Sequence, residues 1–129
     1  MKPQTVEWIE KAEGDWKVAR REFDCDAPVF DAVCFHAQQA AEKYLKALLE
    51  EQSITVPKTH DLIILLNFQK EFSSVEEEWR HSLAALSAYS VAFRYPGEEA
   101  LIEDAKESLD TALCVRAWVR EKLGLTDNP

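Results

Sequence analysis

The segment that most constrains the fold is residues 33–49, VCFHAQQAAEKYLKALL, which is strong helix-forming sequence. At 100° per residue its apolar side chains share one face and its polar side chains fill the opposite arc. The apolar face holds Val33, Ala37, Ala41, Tyr44 and Leu48, and the polar arc holds Gln38, Gln39, Glu42, Lys43 and Lys46. His36 lies on the boundary between the two faces. A histidine at such a boundary is most often structural, and a binding role stays open.

The spacing of apolar residues divides the chain into five predicted helices. The first covers residues 5–23, with Gly14 in its interior, and the segment DCDAP ends it. The second runs to about residue 52, with Asp26 as its cap and Pro28 in its first turn. Pro57 forces Val56 into an extended connector, after which Thr59 or Asp61 caps a short third helix.

The third segment, LIILL, has a strand alternative, but no other segment alternates with period two, so a helix is favoured. The fourth helix begins at a capping box formed by Ser74 and Glu77 and ends at residues 95–97, YPG. The fifth covers residues 98–123, and Gly124 stops it. The sequence therefore predicts an all-α fold, a five-helix antiparallel up-and-down bundle with the short third helix across one end. One domain is expected over residues 1–129, with its core at about 5–124.

Composition limits the classes of function. The sequence has no run of 18 apolar residues and no apolar signal-peptide centre. We therefore expect a cytoplasmic protein that does not associate with a membrane. Cys25, Cys34 and Cys114 are widely spaced and predict buried or free thiols. No Walker loop, GxGxxG, HExxH or zinc-ligand spacing occurs, so we predict no cofactor and no metal ion.

The net charge of −9, from 24 acidic and 15 basic residues, repels phosphate backbones over most of the surface. Broad DNA binding is therefore not expected. Several basic residues nevertheless fall in three short motifs: FHAQQAAEK at residues 35–43, KTHDL at 58–62 and RYP at 94–96. This distribution is consistent with a single patch that is less acidic than the rest of the surface.

These three motifs, in this order, resemble those of the HEPN family of small helical bundles, and the resemblance extends from about Trp8 to Leu123. It implies the same fold, a homodimer built on helix faces, and a minimal nucleotidyltransferase as partner in a two-component, toxin–antitoxin-like system. Many similar proteins are ribonucleases that use an arginine followed four to six residues later by a histidine. In this chain Arg80 is followed at once by His81, and Arg94 by no histidine. We therefore predict no catalytic residues and no ribonuclease activity.

The predicted ligand-binding residues come from the same motifs: His36, Gln39, Lys43, Lys58, His60, Arg94 and Tyr95. They are expected to converge on one polar patch that binds a phosphate-bearing ligand. Structural roles remain open for three of them: His60 would bond locally beside a helix cap, Arg94 would contact the carbonyls at a helix end, and Tyr95 would be a packed turn residue.

Two functions therefore stay open. The first is a noncatalytic module that binds a nucleotide or RNA. The alternative is an enzyme, either a divergent HEPN ribonuclease or a nucleotide-modifying enzyme, that uses His36, His60 and Arg94.

Overall fold

The computed structural model describes residues 1–69 and 77–125, and for residues 77 and 78 it describes the backbone only. Within these ranges the chain forms five α-helices and no strand. The helices are α1 (Pro3–Asp24), α2 (Phe30–Glu51), α3 (Leu62–Asn67), α4 (Glu77–Ser87) and α5 (Ile102–Lys122), and a short 3-10 helix, Ala88–Ser90, follows α4. The all-α prediction is confirmed. None of the described helices is both long and apolar enough to cross a membrane.

The central element is α2, which contacts all four other helices. The Lys2 N–H donates to Glu51 Oε1 at 3.0 Å, so the start of α1 lies at the end of α2 and the two helices are antiparallel. The Ala100 N–H donates to Asp31 Oδ1 at 2.7 Å, so α2 and α5 begin at the same end of the bundle. This alternation is the up-and-down order that the sequence predicted.

The core lies around α2, because the other helices enclose it on several sides. The predicted polar arc of this helix is therefore wrong in part: Gln38, Glu42 and Lys46 are buried together with the apolar face. Buried polar groups need partners, and these three side chains bond to one another along the helix. Their burial places charged side chains in the interior of the bundle.

Three predicted helix ends need correction. The second helix begins at Phe30 with Val29 as its N-cap residue, so Asp26 and Pro28 precede it. The fourth α-helix ends at Ser87, and a 3-10 turn replaces the predicted continuation to residue 95. Helix α5 begins at Ile102, four residues later than predicted, where the Leu101 N–H donates to Asp104 Oδ2 at 2.8 Å.

Other predicted ends agree with the structure. Asp61 caps α3, since its carboxylate accepts from the Ile63 N–H at 2.9 Å. Gly124 follows α5 with φ +71°, a left-handed conformation that suits glycine. The predicted capping box at Ser74 lies outside the described residues.

Candidate functional site

The Asp15 carboxylate on α1 joins two of the predicted site residues. His36 Nδ1 lies 2.9 Å from Asp15 Oδ1, and Lys43 Nζ donates to Asp15 Oδ2 at 2.5 Å. His36 and Lys43 are seven residues apart on α2, so two helical turns place both on the side facing α1. The Asp15 side chain is only 13% exposed, and this partly buried trio fastens α1 to α2.

A second carboxylate, Glu42, organises the other end of the site. His60 Nδ1 lies 2.9 Å from Glu42 Oε1, and Lys46 Nζ donates to Glu42 Oε2 at 3.0 Å. A carboxylate oxygen accepts here, so His60 carries a proton on Nδ1, and in the neutral ring Nε2 is then an acceptor. The Glu42 side chain is 4% exposed whereas that of His60 is 68% exposed. A buried anion thus orients a ring that solvent or a ligand can reach.

Two glutamines connect α2 to the His60 backbone. Gln39 Nε2 donates to Gln38 Oε1 at 2.8 Å, and Gln38 Nε2 donates to the His60 carbonyl at 2.9 Å. The predicted site residue Gln39 therefore belongs to the same network as His60. This network holds the connector that precedes α3 against the central helix.

A shallow cleft of about 720 Å³ opens beside His60, between the start of α3 and the end of α4. Its lining combines hydroxyls, one imidazole, one carboxylate and apolar side chains: Thr59, His60, Asp61, Ile63, Ala84, Ser87, Ala88, Ser90 and Val91. The Ser87 hydroxyl accepts from the Leu62 N–H at 2.9 Å and donates to the His60 carbonyl at 3.5 Å. These bonds join α4 to the start of α3 beside the cleft, which we call the His60 cleft.

The remaining predicted site residues do not join these networks. Arg94 is exposed and donates from Nη2 to the Ser90 carbonyl at 3.1 Å, which is the helix-end role. Within the described ranges no hydrogen bond or ion pair joins Arg94 to His36 or His60. Lys58 is exposed. Tyr95 is 72% exposed, so its interpretation as a packed turn residue is wrong. Convergence of all seven residues on one phosphate site stays a prediction.

The charges of the two networks largely cancel. Asp15 pairs with Lys43, and Glu42 pairs with Lys46, so each carboxylate already has a cationic partner. The site is therefore closer to a hydrogen-bonding surface than to a cationic patch. Among residues 1–69 and 77–125, no group of histidine, cysteine and carboxylate side chains is placed to hold a metal ion.

Sequence reasoning did not select Asp15 or Glu42 as site residues, although they anchor both networks. Asp15 lies 21 residues before His36, and Glu42 lies 18 residues before His60. Spacing within one helix cannot reveal such partners. The available signal was that Glu42 lies in the FHAQQAAEK motif and that Asp15 lies within the range, Trp8 to Leu123, over which the family resemblance extends.

The helical bundle agrees with one family. The model of the HEPN domain matches residues 5–122. The chain belongs to the HEPN family. Its HEPN fold is similar to that of TT1696 from Thermus thermophilus, with a TM-score of 0.81 and 26% identity over 94% of this chain and 99% of that one.

A second similar structure is ST0689, described as an archaeal HEPN homologue. Its TM-score is 0.76, at 25% identity, covering 95% of this chain and 98% of that one. A search of curated proteins found no match. The HEPN resemblance inferred from the sequence motifs is confirmed at the level of the family.

Proposed function

We propose that this HEPN protein is a noncatalytic module that binds a nucleotide or RNA through the His60 cleft. The observation that carries the proposal is the Glu42–His60 pair, in which a buried carboxylate presents an exposed imidazole acceptor to the cleft. The Thr59 and Ser90 hydroxyls beside it add donors and acceptors without charge. Such a surface suits the base edges and hydroxyls of a nucleotide or RNA.

The absence of catalysis is supported by the missing arginine–histidine spacing and by the bonds of the cations. Transition-state stabilisation of a phosphodiester needs a cation aimed at the developing charge. Lys43 and Lys46 already bond to Asp15 and Glu42, and Arg94 bonds to the Ser90 carbonyl. None of the three pairs with a histidine in the described part of the chain.

The proposed partner is a minimal nucleotidyltransferase, in a cytoplasmic two-component system of the toxin–antitoxin type. Support comes from HEPN family membership together with the missing ribonuclease spacing, since a noncatalytic HEPN chain would supply binding to a partner that supplies chemistry. Co-expression with a nucleotidyltransferase encoded beside this chain should yield a complex that survives size-exclusion chromatography. Separate elution of the two proteins at micromolar concentration would contradict this part of the proposal.

Nucleotide binding is tested by calorimetric titration at low ionic strength, which limits screening. His60→Ala and Arg94→Ala should each weaken binding. The first removes the oriented imidazole, and the second removes a predicted cation that bonds to the carbonyl of Ser90 in the cleft lining. His81→Ala is the matched control, because it removes an exposed imidazole on α4 outside the cleft. Equal affinity in all three variants and the wild type would contradict a role for the His60 cleft.

The second candidate function is a divergent ribonuclease or a nucleotide-modifying enzyme. One observation favours it: a carboxylate that holds Nδ1 of a histidine also prepares Nε2 to accept a proton. Turnover of RNA or nucleotide by the wild type, lost in both His60→Ala and Glu42→Gln and kept in His81→Ala, would establish this alternative.

A further inference from the structure

The His60 cleft presents two hydrogen-bond acceptors on adjacent residues. The Glu42 carboxylate accepts from His60 Nδ1, so Nε2 of the neutral ring is left as an acceptor. Asp61 Oδ1 accepts from the Ile63 N–H at 2.9 Å, whereas Asp61 Oδ2 accepts no bond from the described residues. Both His60 and Asp61 line the cleft and are exposed. A ligand that donates hydrogen bonds can therefore reach both acceptors.

The hydroxyls of the cleft add few donors. The Ser87 hydroxyl already donates to the His60 carbonyl at 3.5 Å, and the Ser90 hydroxyl donates to the Ser87 carbonyl at 3.3 Å. Thr59 Oγ1 accepts from the Asp61 N–H at 3.1 Å, and its own O–H donates to no described residue. Among the described lining residues, the side-chain groups available to a ligand are therefore mainly acceptors, with the Thr59 hydroxyl as a donor.

The charge of the lining disfavours phosphate. Asp61 is acidic, and no lysine or arginine belongs to the described lining. The chain's net charge of −9 adds to the same negative field. Arg94 lies outside the lining but donates to the Ser90 carbonyl, so the phosphate of a bound nucleotide would lie at that margin. The cleft itself therefore suits the base of a nucleotide better than its phosphate.

The apolar part of the lining supplies a surface for the face of a base. Ile63 contributes from α3, and Ala84, Ala88 and Val91 contribute from α4 and the residues that follow it. Contact of a flat ring with these side chains removes apolar surface from water on both sides. The base edge, which carries the hydrogen-bonding groups, is then left to the polar side chains.

We propose that the His60 cleft selects nucleobases with an exocyclic amino group, as in adenine and cytosine, over bases with a carbonyl at that position. This inference rests on the proposed nucleotide-binding function and names the part of the nucleotide that enters the cleft. The amino group donates to His60 Nε2 and Asp61 Oδ2, and the adjacent ring nitrogen accepts from the Thr59 hydroxyl. A carbonyl at the same position would place an acceptor against two acceptors.

Titration with free nucleosides, followed by protein NMR, tests this selection without the phosphate. The wild type should bind adenosine about tenfold more tightly than inosine, in which a carbonyl replaces the amino group. This ratio is the lower end of the effect of one hydrogen bond to a charged group. Cytidine should bind more tightly than uridine for the same reason. Inorganic phosphate should not displace adenosine, and such displacement would overturn the assignment of the cleft to the base.

Asp61→Asn tests the polar edge without removing the helix cap, because asparagine is also a favourable N-cap residue. Its amide introduces a donor, so the ratio of adenosine to inosine affinity should fall toward one. Asp26→Asn is the matched control, because it removes an equal charge from the exposed connector before α2 and should keep the wild-type ratio. Val91→Ala should weaken both nucleosides equally, because it trims the apolar wall and leaves the polar edge unchanged.

Failure of this inference can be distinguished from failure of the proposed function. If RNA binds and His60→Ala weakens that binding, but adenosine shows no preference over inosine, the amino-group selection is overturned and nucleotide binding stands. If neither the nucleosides nor RNA bind, both are overturned. An equal fall of the ratio in Asp61→Asn and Asp26→Asn would also overturn the selection, because the overall charge would then explain it.

Discussion

His60 Nδ1 lies 2.9 Å from Glu42 Oε1, and this single contact ties an exposed ring to a buried carboxylate on the central helix. Lys46 occupies the other oxygen of the same carboxylate at 3.0 Å. Glu42 therefore has two functions: it compensates a buried ammonium, and it orients the imidazole beside the cleft. These functions can be separated by mutation.

Glu42→Gln should destabilise the fold by about 3 kcal/mol, because it leaves the Lys46 ammonium buried without an anion. Lys46 is 8% exposed, so water compensates little of the loss. Urea unfolding followed by circular dichroism measures the change. The double variant Glu42→Gln/Lys46→Met should be more stable than Glu42→Gln alone, since it removes the uncompensated charge. A double variant that is less stable than the single one would refute this explanation.

Asp15→Asn should lower the free energy of unfolding by about 1–2 kcal/mol. This loss is smaller than that of Glu42→Gln because the partners of Asp15 are more exposed. The Lys43 side chain is 24% exposed and that of His36 is 31% exposed. A double-mutant cycle between Asp15→Asn and Lys43→Met, measured by urea unfolding, isolates the pairwise term. Additive effects of the two substitutions would show that this ion pair contributes nothing to stability.

The sequence predicts helices well but not the partners that helices provide for one another. The 3.6-residue periodicity of apolar side chains was sufficient to predict the five helices and their order, because each helix carries its own apolar stripe. It failed for Gln38 and Glu42, which look solvent-facing on an isolated helix and are buried once other helices surround α2. The early end of α4 at Ser87 was also missed, because no proline or glycine marks it.

For the candidate site, the sequence identified His36, Gln39, Lys43 and His60, which the structure places in bonded networks. It did not select as site residues the two carboxylates, Asp15 and Glu42, that pair with them. Long-range pairing depends on how helices pack, and one sequence does not contain that information explicitly.

Glu51 should contribute to the acid sensitivity of the fold. The Lys2 backbone N–H, and then the Thr5 hydroxyl, stabilise its carboxylate and lower its pKa below the ordinary value of 4.5. A lowered folded-state pKa gives stability that is present above pH 4.5 and is lost as the pH falls through the folded-state pKa. Glu51→Gln should therefore reduce the free energy of unfolding at about pH 7 and change it less at about pH 3.

The matched control for this experiment is Glu50→Gln, one residue earlier on α2. The Glu50 side chain forms no hydrogen bond or ion pair among the described residues, so its removal should have the same small effect at both pH values. If Glu51→Gln shows the same difference from the wild type at both pH values, the proposed anchoring of α1 to α2 by this carboxylate is incorrect.

A homodimer is predicted from the family resemblance and from exposed apolar side chains. The sequence also carries alanines that could let helix faces approach closely: Ala37, Ala40, Ala41, Ala47, Ala105 and Ala112 are buried inside the bundle, whereas Ala84, Ala85 and Ala88 are exposed. Val91, Tyr95 and Leu101 also leave apolar surface exposed near the start of α5. Light scattering at micromolar concentration should give twice 14.8 kDa. Leu101→Glu should shift the mass toward the monomer, and a wild type that is monomeric at all concentrations would contradict the prediction.

Fluorescence anisotropy of an end-labelled single-stranded RNA tests binding without catalysis most directly, because binding raises the signal and cleavage lowers it. In metal-free buffer of low ionic strength, we predict a rise on addition of the wild type and a smaller rise with His60→Ala. Protease digestion of the protein should then return the signal to the free-RNA value. A final value below that of the free RNA would show cleavage and would contradict a noncatalytic HEPN module, and the absence of any rise would contradict the binding of RNA.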